Sequence, residues 1–163
     1  MEYKASLDTL AKGITIGVIV LLLAIGQNSI RVLLNSKGDM TANLLHSGIL
    51  FMFVAIIMVS WLYAPNQYSI KDHELVINRP IGNVKIYLGD IKEARLLKND
   101  EMNGTIRTFG VGGLFGYFGK FYTPGIGNST FYVTQSKNRI LIITNADKNI
   151  IISPDDIEMI HKL

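Results

Sequence analysis

Residues 44–63 (LLHSGILFMFVAIIMVSWLY) constrain this chain more than any other stretch. They are uncharged, almost wholly apolar, and end in the aromatic pair Trp61 and Tyr63. At about 1.5 Å of rise per residue, a helix of this length covers the roughly 30 Å hydrocarbon core of a bilayer. In lipid every backbone N–H and C=O must find its partner within the segment, so helix is the expected conformation. Trp61 and Tyr63 suit the headgroup level, where amphipathic rings settle. The alternative is a helix buried in a soluble core, and 163 residues are too few to cover such a helix on all sides.

A second apolar run starts right after Lys12. Residues 13–25 (GITIGVIVLLLAI) continue past Gln27, Asn28 and Ser29 into 30–34, which predicts a first span over 13–34. No small-x-small cleavage site follows, so the run reads as a span rather than a signal peptide. Arg31 is expected to snorkel towards headgroups. Gly13 and Gly17, four apart, permit close helix approach. The polar stretch 35–43 (NSKGDMTAN) then connects two antiparallel helices, so the fold class expected for residues 1–64 is a transmembrane hairpin. His46, just inside the second span, reads as an interfacial residue. The basic residues flanking the spans (Lys4, Lys12, Arg31, Lys37, Lys71 and Arg79) differ little in number between the two sides. That bias barely decides orientation; both termini are expected in the cytoplasm, at a cell membrane crossed more than once.

Pro65 ends the helical pattern and marks the start of a second domain, 65–163. From here the period changes to two. Residues 67–70 and 74–79 flank Lys71-Asp72-His73 as a β-hairpin, and residues 84–88 alternate apolar and polar. Further short strands are expected over 91–98, 131–134, 139–144 and 149–153, with a polar loop at 99–103. This spacing argues for an antiparallel barrel or sandwich. Ser153-Pro154-Asp155-Asp156 reads as a helix start, with Ser153 as N-cap and the two acids at the positive end of the helix dipole. Ile157 and Ile160 would let that terminal helix cap the barrel.

Charge and site chemistry narrow the function. Sixteen basic residues stand against 13 acidic ones, a net of +3, which is too weak to argue for nucleic acid. The chain has no Cys, and its three His (His46, His73, His161) show no metal-ligand spacing. The adjacent Asp155 and Asp156 would diverge on a helix, which argues against paired acid–base chemistry. No catalytic residue, cofactor, metal or nucleotide is expected. Two glycosylation sequons, at Asn103 and Asn128, would be idle in a cytoplasmic domain.

The least ordinary segment is 107–127 (RTFGVGGLFGYFGKFYTPGIG). It fails as a phosphate cradle. Phe115 stands where GxGxxG needs its third glycine, and Phe121 follows Gly119-Lys120 where a P-loop needs Ser or Thr. Two accounts remain open. In one, glycines bend the backbone while Phe115, Phe118 and Phe121 fill the barrel. In the other, the segment faces a lipid or a protein partner through Arg107, Phe109, Gly110, Gly112, Gly113, Phe115, Gly116, Tyr117, Phe118, Gly119 and Lys120.

The string from Phe109 to Phe121, with Tyr132, Thr134, Leu141, Ile142, Thr144 and the terminal Ile152-Ser153-Pro154-Asp155-Asp156, resembles the bacterial PH-like domains of small membrane proteins. The resemblance covers roughly residues 67–163. It implies a seven-stranded, strongly bent antiparallel barrel closed by a C-terminal helix, and no catalysis. In eukaryotic PH domains the first hairpin often carries a basic phosphoinositide pocket. Here Lys71-Asp72-His73-Glu74 mixes charges at that place, which argues against such a ligand.

The expected function is therefore a non-enzymatic, membrane-anchored binding or scaffold module at the inner membrane surface, recognising a membrane protein or lipid. Its partners would be the bilayer and a membrane protein or further copies of itself. The alternative is a subunit of a transport or channel complex, with Gln27, Asn28, Arg31 and His46 lining a pathway between the helices.

Overall fold

The structure, a computed structural model, describes residues 1–36 and 38–163. Lys37, one of the basic residues weighed for orientation, lies outside the described residues. Helix α1 spans Thr9–Asn35 and α2 spans Met40–Tyr63. Each begins on an aspartate whose carboxylate satisfies free N–H groups of the first turn. Asp8 accepts from Ala11 N at 2.7 Å, and Asp39 accepts from Thr41 N at 3.0 Å and Ala42 N at 3.2 Å.

Both helices are long and apolar enough to cross a membrane, and neither is covered by the rest of the protein. The most apolar 18 residues of α1 are 17% buried and those of α2 are 0% buried. A core helix of a soluble protein would be mostly enclosed.

The seam between the helices runs through Gly26, Ser29 and Ser36. A Cβ on Gly26 would already meet Leu50 Cδ2 at 3.4 Å. Ser29 Oγ lies 3.1 Å from His46 Nδ1, and Ser36 Oγ donates to Asn43 Oδ1 at 2.6 Å. Gly13 and Gly17, which the sequence offered for close approach, face open space.

The β-rich part contains two sheets. The first has the order β1-β2-β3-β4, built from Glu2–Lys4, Gln67–Lys71, Glu74–Asn78 and Val84–Tyr87, all antiparallel. The second has the order β5-β9-β10-β8-β7-β6. Its strands are β5 (Ile91–Leu96), β6 (Ile106–Gly113), β7 (Gly116–Thr123), β8 (Gly127–Val133), β9 (Ile140–Thr144) and β10 (Asn149–Ile152). Here β10 runs parallel to β8, because it folds back on β9 and fills the space beside β8.

This corrects the expected seven-stranded antiparallel barrel: the domain is a four-stranded and a six-stranded sheet, with one parallel pair. The expected capping helix is also revised. Residues Ile157–Lys162 form a short 3-10 helix capped by Asp156, which accepts from Glu158 N at 2.9 Å. Ser153 is not a helix cap. Its hydroxyl is buried and accepts from Thr134 N at 2.9 Å. The side chain that plugs the domain is Met159 rather than Ile157.

Alternation sorts the second sheet into two buried faces. Ile140, Ile142 and Ile152 join Tyr68, Leu75, Ile77 and Ile86 in the core between the sheets. Leu141 and Ile151 point the other way, to a second cluster with Met102, Phe121, Phe131 and Val133.

The sheet begins before the helices do. β1 pairs with β2 in the register Glu2 to Ser69, and the terminal amine of Met1 donates to Ile70 O at 2.8 Å. The helical hairpin is thus a long connection between two neighbouring strands. Both its outer ends are pinned to the sheets. Asp8 N donates to Thr134 O at 3.1 Å while the Asp8 carboxylate accepts from Ser136 N at 2.9 Å. At the other end Ile81 N donates to Leu62 O at 3.1 Å.

Candidate functional site

The glycine–aromatic segment folds as the β6–β7 hairpin, and its residues serve three different surfaces. Phe118 and Phe121 are buried, with Phe121 stacked on Phe131 at a centroid distance of 4.1 Å. Phe115 occupies the turn at φ 57° and is half-buried. Phe109 is 77% exposed and Arg107 is exposed beside it, its guanidinium lying over Gly112. β6 is an outer strand of its sheet, so Phe109 stands on a free edge.

Two glycines of the hairpin are required by close approach. Gly110 and Gly119 face each other across the ladder at φ 113° and 124°. A Cβ on either would run into the carbonyl of the opposite strand. The tip does something the sequence did not announce. Thr15 Oγ1, buried on α1, accepts from Phe115 N at 2.9 Å and donates to Ala11 O at 2.7 Å. A Cβ on Gly113 would lie 2.6 Å from Ile14 Cδ1. Gly113 and Gly116 thus bring the hairpin turn against the first turns of the helix, with Tyr117 half-buried next to them.

Lys120 belongs to a third surface, an open groove of about 890 Å³ between β4 and the inner face of the six-stranded sheet. Val84, Ile86, Tyr132 and Ile150 give it an apolar floor, and Lys85, Lys120 and Lys148 stand on its rim. The outer edge of β4 has no neighbouring strand among the described residues. Lys85 is tied to Glu74 at 2.9 Å, which raises its pKa through the hydrogen bond and the charge. Asp147, also on the rim, is tied to Lys92 at 3.0 Å. Lys120 donates to Thr130 Oγ1 at 2.7 Å, and neither it nor Lys148 has a carboxylate partner among the described residues. The groove can therefore hold an extended segment on strand-type hydrogen bonds, with free cations beside it.

The expected membrane-interface residues divide. Trp61 is exposed. Tyr63 carries the Arg79 guanidinium 5.5 Å above its ring, and the same guanidinium lies 5.7 Å from the ring of Tyr132, so this residue is part of the joint between α2 and the sheets. Arg31, Gln27 and Asn28 are exposed on α1, while His46 turns inward to Ser29.

Sequence reasoning missed Asp8 and Arg79. Asp8 was findable, since an Asp just ahead of an apolar run is a helix-start signal. Arg79 acts through the rings of Tyr63 and Tyr132, far along the chain, and nothing local marks it. No group of three or more His, Asp and Glu is placed to hold a metal among the described residues.

Residues 66–163 match the family model of the bacterial PH domain. A comparison with curated proteins and another with solved structures found no match. The matched region takes in β2 to the C-terminus, including the glycine hairpin and the groove, and leaves out β1 and both helices. With more than half of its length accounted for in this way, the chain belongs to the bacterial PH domain family.

Proposed function

We propose that the protein is a non-enzymatic binding module, anchored in the cell membrane by its helical hairpin, that presents the β4 groove to an extended segment of a membrane protein. The termini and the PH-like domain would lie on the cytoplasmic side. The observation that carries this reading is the groove itself, an apolar trough beside an unpaired strand edge, with Lys120 and Lys148 on its rim free of carboxylate partners among the described residues. An added strand gains main-chain hydrogen bonds along β4, and the rim selects for acidic side chains. The short joints at Asp8 and Leu62 favour the role, because a domain fixed at the bilayer meets membrane proteins at high effective concentration.

A photo-crosslinking side chain at Val84, in the full chain in native membranes, tests the reading. The expected result is one membrane protein captured at Val84, absent with the probe at Lys92, and lost in the variant Lys148→Glu, an exposed residue of the groove rim. Capture that is indifferent to both controls, or none at all, overturns it.

A further inference from the structure

A second cavity, of about 290 Å³, opens on the opposite face of the six-stranded sheet. Its floor is the apolar cluster of Phe121, Phe131, Val133 and Met102. One wall is Leu10, 62% exposed on the first turn of α1. At the mouth stand Arg139 and Tyr117.

We propose that this cavity holds a phospholipid from the leaflet in which α1 begins, with its phosphate on Arg139 and Tyr117 and an acyl chain over Phe121 and Phe131. The inference rests on the membrane anchoring of the preceding subsection and adds a ligand at a different face of the domain.

Three observations carry it. First, the Tyr117 hydroxyl is buried without a hydrogen-bond partner among the described residues. A buried polar group left alone is costly, so such an atom points to a missing acceptor. Second, Arg139 is only partly used. Its Nε donates to Ser136 O at 2.8 Å and one terminal nitrogen reaches Asn99 Oδ1 at 3.4 Å, and no carboxylate pairs with it among the described residues. A planar guanidinium with free donors suits phosphate oxygens. Burial draws the Arg139 pKa down and pushes that of Tyr117 up, and each state favours a ligand that supplies negative charge to one and an acceptor to the other.

Third, the apolar floor offers a free anion nothing, whereas a lipid matches floor and mouth together. The wall at Leu10 runs directly into the helix assigned to the bilayer, so a lipid reaches the cavity without leaving its leaflet. Asp8 opposes an anion here, since its charge acts on both Tyr117 and Arg139. Its two oxygens are already engaged by Ala11 N and Ser136 N.

The test uses the full chain reconstituted in vesicles of phosphatidylcholine with a minority of phosphatidylglycerol, followed by flotation, mild detergent extraction and native mass spectrometry. Wild type is expected to float and to keep a bound phosphatidylglycerol. Arg139→Gln should cut the retained fraction about tenfold, the scale of a lost charge-assisted hydrogen bond. Tyr117→Phe should cut it severalfold without lowering Tm, since the hydroxyl holds nothing in the protein; this variant keeps the test valid if Arg139→Gln misfolds. Inorganic phosphate should not compete. Flotation with retention equal in all variants overturns the lipid site alone, as does competition by phosphate or a dimer that covers Leu10. A wild type that fails to float overturns the anchoring, and the lipid site with it.

Discussion

Asp155 holds Ser6 twice, accepting from its backbone N at 2.9 Å and from its hydroxyl at 2.6 Å, across 149 residues of sequence. Its own N–H donates to Lys4 O at 2.9 Å, so one residue near the C-terminus fastens the segment between β1 and α1. Asp155→Ala should destabilise the domain by roughly 1–3 kcal/mol. Hydrogen exchange should rise first at residues 2–8, and equal protection there in both proteins would refute the role.

Thr15 ties the β6–β7 turn to α1. Thr15→Val keeps the shape and leaves Phe115 N without its acceptor. We expect faster exchange of the amides at 113–116 and a loss of about 1–2 kcal/mol, with β8 to β10 unaffected. A turn as protected as in wild type would show that packing at Gly113 suffices.

Gly110→Ala should be among the most damaging single changes in the domain. It combines a positive φ with a Cβ driven into a neighbouring carbonyl, at a cost of about 3 kcal/mol or more. Gly48→Ala on α2, where a Cβ meets open space, is the control and should be neutral or slightly stabilising. Comparable melting temperatures for the two variants would rule out the close approach of β6 and β7.

Tyr68 makes the domain sensitive to alkali. Burial pushes its phenol up to about 12, from an ordinary value of 10.0. Its hydroxyl donates to Tyr132 O at 2.6 Å and accepts from Ser153 N at 3.1 Å. The neutral form is the one the fold holds, so its contribution is whole below pH 10 and is lost as the pH rises towards 12. Melting temperature should therefore fall across that window. Tyr68→Phe should be less stable at neutral pH by about 1–3 kcal/mol, since Ser153 N loses its acceptor. Its melting temperature should also fall less between pH 10 and 12, and an equal fall in both proteins would assign the alkaline loss elsewhere.

Joining β1 to β2 by a short Gly/Ser linker in place of residues 9–63 should give a folded domain that needs no detergent. The plain fragment 66–163 lacks β1, so the outer edge of β2 is bare and the contacts of Tyr3 and Ala5 in the core are gone. It should melt lower and aggregate at rest. A fragment as stable as the linked form would make β1 an ornament of the sheet.

Much of this was legible from local pattern. The two apolar runs and the β2–β3 hairpin, with Asp72 and His73 in its turn at φ 50° and 60°, follow from composition and turn chemistry alone. The parallel placement of β10 was not, because residues 149–152 read as a strand whichever neighbour they take. β1 escaped notice since three residues carry no period, and its partner lies 67 positions away at Ser69. The C-terminus misled for a physical reason. Ser-Pro-Asp-Asp satisfies every rule for a helix start, yet Ser153 and Asp155 are committed to Thr134 and Ser6 by tertiary contacts that outweigh local preference. The glycine string stands out in the sequence, but its division among a core, a helix joint and a groove rim depends on strand register that no spacing reveals.

The pairing of Glu2 with Ser69 also imposes an order on biosynthesis. On the proposed anchoring, the first strand leaves the ribosome long before its neighbour exists and must wait while two greasy segments are threaded. It would find that neighbour only if the second segment has returned to the side from which the first departed. Zipping of this edge would then be a proofreading step for topology: a chain threaded an odd number of times would keep its two strands on opposite sides and never close the sheet.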